Sequence, residues 1–134
     1  MTKENNLKQI KKLRTVLKTI PNEFEGKDYT VKLLTDELTS LCPFTGIPDF
    51  YKIHIIYIPA KELIELKSLK FYLLKFRELR ITHEALLNVI FDDLANSLNP
   101  KYIKIELHAN IRGGIRTTAY REQGEYYYCE KEKQ

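Results

Sequence analysis

The chain is poor in cysteine. It has only two, Cys42 and Cys129, far apart in sequence, the second beside a charged tail. A structural disulfide is therefore not expected. It also lacks a long apolar run, because charges interrupt every apolar stretch, which excludes a membrane-spanning helix. The opening residues Met1-Thr2-Lys3-Glu4-Asn5-Asn6 have no apolar centre like that of a secretory signal, so a cytoplasmic location is expected. There is no excess of one charge: 22 Lys+Arg stand against 18 Asp+Glu, a net +4. The basic residues are interleaved with acids, which argues against a nucleic-acid groove; the balance suits a small anionic ligand or mere solubility. Gly-x-Gly-x-x-Gly and Walker loops are absent, as is a nucleophile elbow. His54, His83 and His108 do not pair with cysteine at zinc-like spacing, so no metal is expected.

What is present is the composition of one folded domain, with 43% apolar and 30% charged residues. Residues 1–20 read as an N-terminal arm or short amphipathic helix, with Leu7, Ile10, Leu13, Val16 and Leu17 at helical spacing. Residues 21–134 read as the domain proper. Tyr29 to Thr35 alternates as a strand running toward Leu38. A loop spans Cys42 to Asp49, and a strand runs from Tyr51 to Ile58. Two helical patterns follow. One covers Ala60 to Leu79, and the other is capped by Thr82 and closed by Asn99-Pro100. Tyr102 to His108 alternates cleanly, Asn110 to Gly114 turns, and Ile115 to Tyr120 is a last strand. The tail from Glu122 is charged and rich in tyrosine. The resulting order, ββααββ, is an α+β layout with two helices on one face of an antiparallel sheet. Its open edges predict an oligomer.

Three constellations could carry chemistry. The first is the loop Leu41-Cys42-Pro43-Phe44-Thr45-Gly46-Ile47-Pro48-Asp49-Phe50, which places a thiol and a carboxylate on one stiff connection. A thiolate is a nucleophile and a nearby acid can protonate what it attacks; the plainer reading is a small buried hydrophobe and a turn former. In the second, Glu65-Leu66-Lys67-Ser68-Leu69-Lys70, two lysines three apart share a helix face and suit a phosphate, or form an ordinary solvated surface. In the third, His83-Glu84 starts a helix, where a carboxylate is favoured in any case, and Arg112-Gly113-Gly114 reads as a flexible turn beside a guanidinium.

Taken together, Thr39-Ser40-Leu41-Cys42-Pro43-x-Thr45-Gly46-x-Pro48-Asp49-Phe50, Glu65-Leu66-Lys67-Ser68-Leu69-Lys70-Phe71-Tyr72-Leu73, His83-Glu84 and Arg112-Gly113-Gly114-Ile115 resemble the 7-cyano-7-deazaguanine reductases. These are the NADPH-dependent nitrile reductases of queuosine biosynthesis, in their short, single-domain form. The resemblance runs from about Thr15 to Tyr120. It implies the tunnelling fold, with ββααββ subunits assembled as an oligomeric barrel of stacked pentamers and sites between subunits. It implies that Cys42 adds to the nitrile to form a thioimide and that Asp49 protonates the nitrile nitrogen. Ile64, Glu65, Leu66, His83 and Glu84 would bind the deazaguanine, while Lys67, Ser68, Lys70, Arg112 and Gly113 would contact NADPH. Two hydrides would carry the nitrile to the primary amine. The loop commonly carries Gln where Ile47 stands here, which bears on the loop's hydrogen bonding.

The alternative is an archaeosine-type amidinotransferase, of similar fold and cysteine but lacking the lysine-containing motif. A pterin enzyme of the same fold would need zinc ligands. The reductase reading implies a small-molecule partner, with no membrane and no direct nucleic-acid contact.

Overall fold

The computed structural model describes residues 3–125, with side chains from Asn6 onward. Its elements are α1 (Lys3–Arg14), β1 (Thr19–Pro21), β2 (Val31–Leu41), β3 (Pro48–Ile58), β4 (Glu62–Ile64), α2 (Leu66–Leu74), a 3-10 turn (Lys75–Glu78), α3 (His83–Leu98), β5 (Tyr102–Ala109) and β6 (Thr118–Gly124). No helix is long and apolar enough to cross a membrane among the described residues.

Four strands form an antiparallel sheet in the order β2-β3-β5-β6. The helices are inserted between β3 and β5 and cover one face. Strand alternation decides which face. Ile53, Ile55 and Tyr57 of β3 and Ile103, Ile105 and Leu107 of β5 are buried with Leu69, Tyr72 and Phe76, and with Leu86, Ile90 and Leu94 of α3. Each such aliphatic side chain contributes about 1.5–3 kcal/mol on burial. The intervening Lys52, His54, Lys104, Glu106 and His108 lie on the uncovered face. β2 carries a bulge: Thr35 pairs with Ile53 but Leu38, not Glu37, pairs with Tyr51.

α3 begins where its cap predicts, with Thr82 Oγ1 accepting from the Ala85 N–H at 3.2 Å, and ends at Asn99, which takes the left-handed conformation at φ 44°. Other expectations need correction. The helix expected over Ala60 to Leu79 starts only at Leu66, because Glu62–Ile64 is instead a strand pairing with β1. That small second sheet ties the N-terminal segment to the domain, and the buried Leu13 of α1 joins the main core. Pro48 and Asp49 belong to β3 rather than to the loop. Proline is tolerated there as the first residue of the strand. The last strand is displaced from Ile115–Tyr120 to Thr118–Gly124, because Ile115 closes the preceding turn. Arg121 anchors this extension on α3, reaching Asp92 Oδ1 at 2.8 Å and lying over the Phe91 ring at 4.4 Å. Cys129 and the rest of the tail lie outside the described residues.

One polar cluster is buried under the helices. Tyr72 donates to Asp93 Oδ2 at 2.5 Å, and Arg14 Nε approaches Asp93 Oδ1 at 3.1 Å. Burial holds the Asp93 carboxyl above the usual carboxylate range, against the opposing effect of its two partners.

Candidate active site

The Cys42 loop is a hairpin connection held by its own backbone. Cys42 N–H donates to Ile47 O at 2.9 Å, and Gly46 N–H donates to Cys42 O at 2.8 Å. Just before it, Leu41 is clasped by the segment leading into α3: Leu41 N–H donates to Leu79 O at 2.9 Å and Leu41 O accepts from Ile81 N–H at 3.0 Å. Gly46 has φ +74°, and a Cβ there would meet the Arg80 guanidinium at 2.6 Å. A side chain at 46 would thus be both strained and obstructed. Ile47, the departure noted in the sequence, is exposed, and its N–H donates to Thr45 Oγ1 at 3.2 Å.

Cys42 is a half-buried free thiol. The Thr45 hydroxyl, then the backbone N–H groups of Thr45 and Phe44, hydrogen-bond its sulfur and hold its pKa below the ordinary thiol value; desolvation and the Asp49 charge oppose the shift. These hydrogen bonds favour the thiolate over the thiol relative to an ordinary cysteine. Asp49 stands opposite Ser40 in the register, so the seven-residue spacing in sequence becomes proximity across the hairpin mouth. Its side chain is buried, and Arg112 Nε reaches Oδ1 at 3.0 Å while Arg112 Nη2 donates to Pro48 O. The geometry of Arg112 comes from a tight turn: Arg112 and Ile115 exchange both backbone hydrogen bonds, with Gly113 and Gly114 at φ +57° and +80°. That is the twist of a two-residue hairpin, which glycine accommodates without strain.

Two residues to which the sequence assigned no role complete this end of the molecule. Tyr51, two positions after Asp49 on the same face of β3, is buried. Its hydroxyl is 3.1 Å from Ser40 Oγ and 2.7 Å from His83 Nδ1, with the two rings edge to face. Burial pushes the Tyr51 phenol up to about 12, so it is neutral and available as a hydrogen-bonding pivot. Alternation from Asp49 to Tyr51 was the legible signal; the link to His83 needed tertiary structure. Glu84, next to His83 in the first turn of α3, is exposed.

The other predicted group lies apart. Ile64 is buried in the core, and its N–H donates to Tyr57 Oη at 3.2 Å. Glu65 caps α2 by accepting from the Ser68 N–H at 3.0 Å. Ser68 is buried, and its hydroxyl donates to Glu65 O at 2.8 Å and accepts from Lys18 N–H at 2.9 Å. Leu66, Lys67 and Lys70 are exposed, and neither ammonium has an ion pair among the described residues. Among the described residues, no hydrogen bond or ion pair joins this group to Cys42, Asp49 or His83. Leu66 and Lys70 line instead an apolar groove of about 350 Å³ along β2, with Leu34, Leu38, Leu73 and Leu74.

Comparison with known proteins fits this arrangement. The family described as QueF-like protein matches residues 48–128. The NADPH-dependent 7-cyano-7-deazaguanine reductase of Chloroherpeton thalassium is 47% identical over 103 residues, 77% of this chain and 89% of that protein. The enzyme of the same name from Staphylococcus epidermidis is 43% identical over 121 residues, 90% of this chain and 73% of that protein. Among solved structures, the apo archaeosine synthase QueF-Like superposes with a TM-score of 0.67 at 24% identity, over 72% of this chain and 95% of that one, a likeness of fold. The chain belongs to the QueF-like protein family.

Proposed function

We propose that this protein is an NADPH-dependent 7-cyano-7-deazaguanine reductase, converting the nitrile to the aminomethyl group in queuosine biosynthesis. The observation that carries this reading is the pairing, at one hairpin mouth, of a thiol with depressed pKa and a buried carboxylate. Cys42 Sγ adds to the nitrile carbon, converting the triple bond to a thioimide, and Asp49 delivers a proton to the nitrogen so that negative charge does not accumulate there. To deliver a proton Asp49 must first hold one, so its contact with Arg112 loosens at that step. When the carbon–sulfur bond later breaks, the thiolate is released to the state that the Thr45 hydroxyl favours. His83, fixed through Nδ1 by Tyr51, and the exposed Glu84 carboxylate hold the deazaguanine, whose amidine-like edge suits a two-oxygen acceptor.

NADPH, when bound, supplies the hydrides, two per nitrile. The exposed, unpaired Lys67 and Lys70 at the start of α2 fit its phosphates. Ser68 serves by holding that helix terminus, since its hydroxyl is already committed. Arg112 and Gly113, in the β5–β6 turn beside Asp49, contact the cofactor from the Cys42 end.

The finished site is shared between copies in an oligomeric barrel of stacked pentamers. Support comes from the outer edge of β2, which pairs with no other strand along Val31–Leu38 among the described residues, from its flanking apolar groove, and from the absence among the described residues of any hydrogen bond or ion pair between the α2 lysines and Cys42. The amidinotransferase alternative has the weaker support, since the relatives at 47% and 43% identity bear the reductase name.

Incubation with the nitrile alone should add its mass to the protein at Cys42. Subsequent NADPH should be oxidised at two equivalents per nitrile and clear the adduct. Absence of both signals with reduced protein, or an adduct that persists in Cys42→Ala, would overturn the assignment.

A further inference from the structure

The uncovered face of the sheet holds a second cavity, remote from α2 in the sequence and distinct from the hairpin that carries Cys42. Its volume is about 630 Å³, and Lys52, His54, His108, Asn110 and Arg116 are among its lining residues, with no carboxylate in the wall. That is room for a phosphorylated small molecule rather than only an ion.

Its charge pattern is the informative part. Lys52 and His108 are directly opposite in the β3–β5 register. Three half-buried cations of this sheet and its flank meet carboxylates: Lys104 meets Glu106 at 3.1 Å, Lys101 meets Asp28 at 2.6 Å and Arg121 meets Asp92 at 2.8 Å. Lys52 and Arg116 have no such partner among the described residues. The histidines between them are ordered. The His108 ring is 3.2 Å from Thr118 Oγ1 through Nδ1 and 3.3 Å from Glu106 Oε2 through Nε2. His54 packs edge to face on it at 5.1 Å, with neither of its own ring nitrogens hydrogen-bonded among the described residues. An exposed ammonium, a planar guanidinium, an amide and an imidazole without hydrogen bonds among the described residues thus border one concavity.

We infer that this cavity is a phosphate-binding site, taking a phosphate monoester or pyrophosphate group between Lys52, His54 and Arg116. Arg116 suits two oxygens of one phosphate, Lys52 adds a point charge, and Asn110 contributes an amide donor. A free phosphate and one carried by the nucleotide cofactor present the same chemistry to these residues. The site does not rest on the reductase reading.

Calorimetric titration of the full chain with inorganic pyrophosphate tests it. Saturable binding is expected, weakened roughly tenfold or more in Lys52→Ala/Arg116→Ala, the size of effect expected for losing charge-assisted hydrogen bonds. A second arm repeats the titration with NADP+ present. Competition, with NADP+ affinity also reduced in the double variant, identifies the cofactor's own phosphate as the occupant; independent binding identifies a free phosphate. No saturable binding, or binding unchanged in that variant, overturns the inference. So does binding that vanishes only in Lys67→Ala/Lys70→Ala. Formation of the Cys42 adduct is read separately, so failure here leaves the proposed chemistry standing on its own measurement.

Discussion

The two ends of β2 behave differently. At its C-terminal end the groups around the Cys42 loop are held by short contacts within one chain: 3.0 Å from Arg112 to Asp49 and 2.7 Å from Tyr51 to His83. Toward the α2 side, Leu66, Lys67 and Lys70 are exposed beside an apolar groove and a strand edge that pairs with no other strand among the described residues. The first region is preorganised, with its groups held before any ligand arrives. The second is left for something else to finish. Preorganised groups act on the chemical step, whereas open charged surface acts on binding.

Substitutions can break or sharpen that contrast. Asp49→Asn should give the largest effect, slowing kcat by about a hundredfold or more, as expected for loss of a positioned proton donor, with little change in nitrile KM. Steady-state kinetics with both substrates varied checks it; a change confined to KM would put Asp49 in the binding class. Lys67→Ala/Lys70→Ala should do the reverse, raising KM for NADPH roughly tenfold while kcat holds, because two charge-assisted contacts are lost. Tyr51→Phe leaves Ser40 Oγ and His83 Nδ1 without their shared partner. A stability loss of about 1–3 kcal/mol in denaturant titration is expected, with a several-fold rise in KM for the deazaguanine as His83 loses its orientation.

The smallest effect is a shift in pH profile. Cys42 is an acid whose pKa is depressed chiefly by the Thr45 hydroxyl, so thiolate persists to lower pH than in an ordinary cysteine. Thr45→Val should move the midpoint of iodoacetamide alkylation upward, toward the unperturbed value near 8.5. An unmoved midpoint would show that the hydroxyl is not what favours the thiolate.

Much of this was legible in the chain. The alternation of Tyr102 to His108 gave β5 and its faces, and Thr82 and Asn99 marked the ends of α3, because these signals are local. The errors arose where partners are distant. Glu62–Ile64 carries leucine spacing compatible with a helix, yet pairs with Thr19–Pro21, more than forty residues earlier. Pro48 looked like a barrier, but a strand's first residue can do without its N–H. Cys42 and Asp49 were readable as a pair from one loop. Tyr51 was not, since its importance comes from a histidine 32 positions away. The Arg112–Asp49 contact was also invisible, as it joins a turn to a strand start 63 positions upstream.

The bulge at Asp36–Glu37 reaches further than its own position. Because side chains on a strand change sides at every step, the extra residue there sets the phase of everything from Leu38 onward. Were the same residues paired without the bulge, Thr39 rather than Ser40 would stand opposite Asp49, and the thiol at 42 would leave the strand on the opposite pleat. Loss of one residue from the bulge itself would leave Ser40 opposite Asp49, whereas loss of one between Leu38 and Leu41 would carry the wrong side chains to the hairpin mouth.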